Sequence, residues 1–138
     1  MKLLNTLHRV QQIAEDAFRV AAGDLDITPR QAAVLAAIEA QPDCSQAAVV
    51  LATNIDRSTL ADICRRLARK GWLSRRRSKK DGRAMVLALT EEGAATLRAA
   101  RKAAAAAEHA LPRRIQGLGG LGVVEAGAGA PVGREAAE

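Results

Sequence analysis

Between Asp56 and Thr90 the chain sets out a capped helix, a stop and a basic hairpin in immediate succession, an order few folds accept. Asp56 is an N-cap residue type standing ahead of Leu60, Ile63, Cys64 and Leu67. Those apolar positions fall at helical spacing and give one buried stripe. Gly71 supplies the left-handed residue that ends such a helix. Residues 72–77 and 85–89 then read as two strands. In the second, Met85, Leu87 and Leu89 alternate with Val86 and Ala88, so one face can pack on the helices. Asp81-Gly82 between them is a hairpin turn signal, flanked by Lys79, Lys80 and Arg83.

The same window concentrates charge. From Arg57 to Arg83 there are eleven Lys or Arg residues against Asp62 and Asp81, an excess of nine positive charges. The whole chain carries only +6, so everything outside the window is net negative. The basic character is a local device. A helix followed at once by a basic hairpin suits a polyanion with a groove for each element, which is duplex DNA. Single-stranded nucleic acid is disfavoured, because it is read on aromatic platforms. Phe18 and Trp72 are the only aromatics in 138 residues.

Upstream, Leu3, Leu7, Val10, Ala14, Ala17 and Ala21 recur at three- and four-residue steps, predicting an amphipathic helix over 3–22. Thr28-Pro29-Arg30-Gln31 is a helix start, with Thr28 as N-cap, Pro29 at the first position and Gln31 completing a capping box. That helix runs through Val34, Leu35 and Ile38 to about residue 40. Ser45 caps a short helix over about 46–52, with Ala48, Val49 and Leu51 as its apolar residues. A tight connection, Thr53-Asn54-Ile55, leads to Asp56, so residues 45–70 describe a helix-turn-helix and 72–90 its wing. Thr90 caps a last helix, from Glu91 to about Leu111, whose second half is mostly alanine. The fold class expected is mainly α with a small β-hairpin: a winged helix-turn-helix domain over 1–111, with N- and C-terminal helices for dimerisation. Residues 112–138 read as a glycine-rich tail, expected to be largely disordered. Leu118, Leu121, Val123 and Val124 are its few docking candidates.

On the second helix of the motif, N-terminal residues reach base edges, which nominates Arg57, Ser58, Thr59 and Asp62, with Arg65 and Arg66 continuing the major-groove face. Arg65, Arg66 and Arg69 are placed to meet phosphates. For Asp62 the plainer alternative, an ion pair along the helix with Arg65 or Arg66, is preferred. On the wing, Arg75, Arg76, Lys79 and Lys80 are backbone contacts. Arg83 is placed for the minor groove, with Asp81 orienting it. The plainer reading of the wing is a good turn with a soluble edge.

Cys64 falls on the apolar stripe and reads as core. Cys44 precedes a helix start, where a thiolate is somewhat favoured. No catalytic constellation, cofactor motif or metal cluster is visible, so an enzyme is not expected. Two cysteines without ligand spacing, no long apolar run and an N-terminus unlike a signal peptide lead to a cytoplasmic protein with no membrane partner.

Thr28-Pro29-Arg30-Gln31, Asp56-Arg57-Ser58-Thr59-Leu60, Lys70-Gly71, Arg75-Arg76-Arg77, Asp81-Gly82-Arg83 and Leu89-Thr90 stand in the order found in the MarR (multiple antibiotic resistance regulator) family, and the chain resembles that family over residues 1 to about 110. The resemblance implies a homodimeric regulator of transcription, usually a repressor, released from DNA by a small and often aromatic effector. It also implies that the helix matching residues 57–70 reads the major groove and that the residue matching Arg83 enters the minor groove. An effector pocket would then form between the dimer helices and the DNA-binding lobe, from residues such as Leu7, Phe18 and Leu35. The departure is at the C-terminus, where Pro112 and glycines stand in place of the family's long amphipathic helix. Dimer contacts would fall instead on residues 3–22 and 91–111. Two rivals remain open on sequence: a non-specific architectural DNA-binding protein and a winged helix used as a protein-interaction module.

Overall fold

The computed structural model describes residues 1–116. Five helices and one hairpin follow in the order α1 (Lys2–Ala22), α2 (Pro29–Ala40), α3 (Gln46–Thr53), α4 (Arg57–Arg69), β1 (Leu73–Arg77), β2 (Met85–Leu89) and α5 (Glu91–Gln116). The start signals act as their chemistry dictates. Thr28 Oγ1 accepts the Gln31 N–H and the Gln31 side chain accepts the Thr28 N–H, both at 3.1 Å, closing the capping box. Ser45 accepts the Ala48 N–H at 3.1 Å. Thr90 accepts the Gly93 N–H at 3.0 Å and donates its own proton to the Gly71 carbonyl at 2.6 Å. That residue therefore ties the start of α5 to the end of α4.

The core is assembled where these elements converge. Val34, Leu35 and Ile38 of α2, Val49 of α3, Leu60, Cys64 and Leu67 of α4, Leu87 of β2 and Leu97 of α5 are all buried. Gly71 takes φ 77°, the left-handed conformation that turns the chain out of α4 and into the wing. The hairpin is antiparallel, with Leu73 opposite Leu89 and Arg77 opposite Met85. One residue extends it: the Cys44 carbonyl accepts the Leu87 N–H at 2.8 Å, pinning the α2–α3 connection to the wing.

Helix α1 packs along α5, where Ala100, Ala103 and Ala107 are buried. Alanines at this seam have little bulk, and that is what lets two helices approach closely. Helix α5 does not stop near Leu111 but continues through Pro112 to Gln116. Proline removes one intrahelical bond. Here that loss falls on the exposed last turn, where Arg113 and Arg114 complement the helix dipole. The tail reading for residues 117–138, including Leu118, Leu121, Val123 and Val124, lies outside the described residues.

Two packing expectations, for Leu51 and Met85, are corrected. Leu51 is 86% exposed, because Val49 sets the buried side of α3 and a residue two positions on lies about 200° round the helix. Met85 is half exposed, because its place opposite Arg77 is at the far end of the ladder, beyond the helices, while Val86 on the other face is buried. In α1 it is Ala17 and Phe18 that are buried, whereas Leu3 and Leu7 face outward.

Candidate nucleic-acid interface

The turn between α3 and α4 is built from short polar side chains. The Thr53 hydroxyl donates to the Val49 carbonyl at 2.7 Å, ending α3, and Asn54 takes φ 56°, a left-handed conformation that asparagine tolerates. Asp56 then opens α4. Its carboxylate accepts the Thr59 N–H at 2.9 Å, the Thr59 hydroxyl at 2.6 Å and the Ser58 hydroxyl at 2.9 Å. These bonds, the Thr59 hydroxyl foremost, lower the Asp56 pKa to about 2 from an ordinary 3.8.

Leu60, Ile63, Cys64 and Leu67 bury the inner stripe of α4. Arg57, Ser58, Arg65, Arg66 and Arg69 are consequently exposed, with Thr59 and Asp62 half-buried. Asp62 is not free: its two oxygens pair with Arg65 at 3.4 Å and Arg66 at 3.1 Å. Such exposed pairs contribute little to stability. They do hold two arginines along the helix face and turn the lone acid away from independent base contact.

Across the wing, Arg75, Arg76, Arg77, Lys79, Lys80, Asp81 and Arg83 are all exposed. The Ser78 hydroxyl accepts the N–H groups of Lys80 and Asp81, at 3.2 and 3.3 Å, and shapes the tip. Asp81 accepts the backbone N–H of Arg83 at 3.1 Å. It therefore sets the turn from which Arg83 projects and does not engage the guanidinium, which differs from the orienting contact expected of it. Arg77 donates to the Gly82 carbonyl at 2.9 Å.

Two acids that sequence reading passed over brace this surface. Asp43, at φ 60°, forms an ion pair with Arg76. Asp26, in the α1–α2 connection, pairs with Lys70 at 3.0 Å, and the Lys70 ammonium lies 4.7 Å from the Trp72 ring. Both partners are more than thirty residues away in the chain. Only the fold brings them together.

Burial pushes the Cys64 thiol up, with Arg75 beside it acting the other way, and burial likewise raises Cys44. Both thiols are free and buried. Neither holds the thiolate that sequence position offered Cys44.

Leu7, Phe18 and Leu35 do not share a cavity. Leu35 is fully buried in the core, and Leu7 is 56% exposed on α1. Of the three, Phe18 alone lines a cavity of about 780 Å³ between the C-terminal half of α1 and the α1–α2 connection. Among the described residues no group of His, Cys, Asp and Glu is arranged to hold a metal ion, and no helix is long and apolar enough to cross a membrane.

Helix-turn-helix, recognition-helix cap and basic hairpin together define a winged-helix protein of the DNA-binding type. Residues 25–84 match the MarR family profile. Among solved structures, the PcaV transcriptional regulator from Streptomyces coelicolor, in complex with its natural ligand, superposes with a TM-score of 0.71 and 31% identity, covering 78% of this chain and 76% of that one. The transcriptional repressor CouR, bound to a 23-mer DNA duplex, gives 0.68 and 30% identity over 82% and 78% of the two chains. BpsR from Bordetella bronchiseptica, whose DNA binding is regulated by 6-hydroxynicotinic acid, gives 0.69 and 26% over 81% and 84%. No curated protein sequence matches. The chain belongs to the MarR family of transcriptional regulators.

Proposed function

We propose that this protein is a homodimeric, sequence-specific double-stranded DNA-binding regulator, a repressor whose hold on its operator is released by a small molecule. One observation carries the reading. Arg57, Arg69, Arg75, Arg77, Lys79, Lys80 and Arg83 lie exposed along α4 and the wing, and none has a carboxylate partner among the described residues. Seven cations without an acidic partner on one helix and the hairpin after it match a phosphate backbone. Helix α4, at 13 residues, is about 20 Å long, suited to lying in a major groove.

In this reading the N-terminal turn of α4 (Arg57, Ser58, Thr59) reads base edges. Asp62 keeps Arg65 and Arg66 in register against phosphates, with Arg69 beyond them. Arg75, Arg76, Lys79 and Lys80 follow the backbone along the wing, and Arg83, set by the Asp81 turn, enters the minor groove. Residues 1–116 form the DNA-binding and dimerisation unit. Leu3, Leu4 and Leu7, at 67%, 65% and 56% exposure, give α1 an uncovered apolar face that a second copy would bury. Release by a small molecule is supported by the ligand-bound PcaV and by BpsR, and repression by CouR.

Selection of bound fragments from random DNA tests the proposal. The expected product is a palindrome whose half-site centres lie roughly 10 bp apart. Equal recovery of all sequences would replace it with architectural binding, and no recovery at physiological salt would leave a protein-interaction module.

A further inference from the structure

Helix α3 carries an apolar surface that its own packing does not account for. Val49 turns inward to the core, while Ala47 and Leu51 each lie about 160° round the helix from it. Leu51 is 86% exposed, and outside α1 and its N-cap it and Met85 are the exposed large apolar side chains among the described residues. Beside Leu51, Gln46, Ala47 and Val50 face Arg57 of α4 across a notch of about 250 Å³. Val50 is half-buried there and Ala47 exposed. The notch is smaller than the roughly 300–1,000 Å³ of small-molecule sites. It suits a small apolar group carried on a larger body.

Charge says what that body is. Arg57 is the first residue of α4, is exposed and has no acidic partner among the described residues. Whatever reaches the notch meets that cation and the basic hairpin beyond it, which selects a polyanion. In the major groove of duplex DNA the apolar group that a base pair offers is the thymine C5-methyl. The neighbouring hydroxyls agree. Ser58 and Thr59 give their protons to Asp56, at 2.9 and 2.6 Å, and keep only lone pairs for a base. An adenine N6 amine satisfies those lone pairs, and its paired thymine presents the methyl in the same groove. We propose that Ala47, Val50 and Leu51 receive thymine C5-methyl groups, so that α3 as well as α4 selects A·T pairs in the operator. The inference rests on the reading of this chain as a DNA-binding regulator and adds to it base-selecting residues outside α4.

Deoxyuridine differs from thymidine only in lacking that methyl. C5 lies in the major groove, so exchanging the two leaves a minor-groove contact by Arg83 alone. The test is a thymine-by-thymine exchange through the operator that the full-length protein selects from random DNA, with affinity measured for each duplex. One or two exchanges in each half-site are expected to weaken binding about fourfold apiece, the scale of one buried methylene, and the others to change nothing. Two variants identify the residues. Leu51→Ala alters a side chain that the core does not hold, and Val50→Thr keeps the shape while replacing a methyl with a hydroxyl. Each should lose about two- to fourfold on the thymine operator and nothing on the operator carrying the sensitive exchanges. Equal losses on both operators would reduce these side chains to phosphate or packing roles and overturn the proposal. An operator indifferent to every exchange, with specific binding intact, would overturn it and leave the DNA-binding reading standing. Failure to select any sequence would overturn that reading as well, which is a different result.

Discussion

Thr59 gives both of its protons to Asp56: its N–H reaches one carboxylate oxygen at 2.9 Å and its hydroxyl reaches the other at 2.6 Å. Ser58 adds a third donor at 2.9 Å. The two hydroxyls nominated to read bases are therefore committed as donors, and in the proposed interface they could offer a base only acceptor capacity. That favours the exocyclic amines of cytosine and adenine over carbonyl oxygens in the major groove.

The same bonds predict a pH effect. The folded-state pKa of Asp56 is lowered to about 2 from 3.8. A depressed carboxylate contributes stability above its unfolded pKa and loses it as pH falls through the folded one. The start of α4 should hold above pH 3.8 and loosen towards pH 2, seen as faster amide exchange at Thr59 and Leu60. Thr59→Val should raise the Asp56 pKa towards its ordinary value, measured by carboxyl NMR titration. An unmoved pKa would mean that the hydroxyl bond is not formed in solution.

Gly93 is constrained by space. A Cβ at this position would stand 2.0 Å from the Trp72 carbonyl oxygen, which accepts the Thr90 N–H at 3.2 Å. Gly93→Ala must push α5 away from the root of the wing, and we expect a loss of about 1–3 kcal/mol in denaturant unfolding. A stability equal to wild type would show that α5 shifts without cost.

Much of this architecture is legible in the sequence, and the reason is local chemistry. The Thr28–Gln31 box, the Ser45, Asp56 and Thr90 caps and Gly71 each act within a few residues, so their signals sit together in the chain. The stripe Leu60, Ile63, Cys64, Leu67 obeys the helical period and is buried as read. What escapes depends on contact at a distance. The Cys44–Leu87 bridge is one residue long and leaves no alternating pattern. Asp43 and Asp26 find Arg76 and Lys70 only through the fold. Leu7, Phe18 and Leu35 share apolar character, yet helix rotation sends one to solvent and another to the core.

Arg83→Ala should weaken operator binding by about 1–3 kcal/mol, mostly on sites with A·T pairs under the wing. Asp81→Ala should act differently, because Asp81 holds the Arg83 backbone and not its side chain. It is expected to relax the wing turn and cost less than Arg83→Ala, with the A·T preference reduced and not abolished. Binding titrations on A·T-flanked and G·C-flanked duplexes compare the two. An Arg83→Ala effect equal on both duplexes would restrict that residue to phosphate contact.

Salt separates the cations already held by acids from those left free. Arg65, Arg66 and Arg76 are paired with Asp62 and Asp43, whereas Arg69, Arg75, Lys79 and Lys80 have no acidic partner among the described residues. If several of these seven cations meet phosphates in each of two chains, a dimer neutralises on the order of 6–10 of them, and log affinity should fall with log salt at a slope of roughly −5 to −9. Replacing Lys79 and Lys80 with alanine should flatten the slope by about one unit for each phosphate no longer neutralised, up to about four for the dimer. The preferred sequence should not change, because these side chains position the wing without reading bases. Asp43→Asn provides the opposite arm: releasing Arg76 should steepen the slope or leave it unchanged, and never flatten it. Titrations on matched and mismatched operators at several salt concentrations measure all three proteins together. A slope indifferent to Lys79 and Lys80 would place the wing tip in solvent and leave the phosphate contacts to α4 and the root of β1.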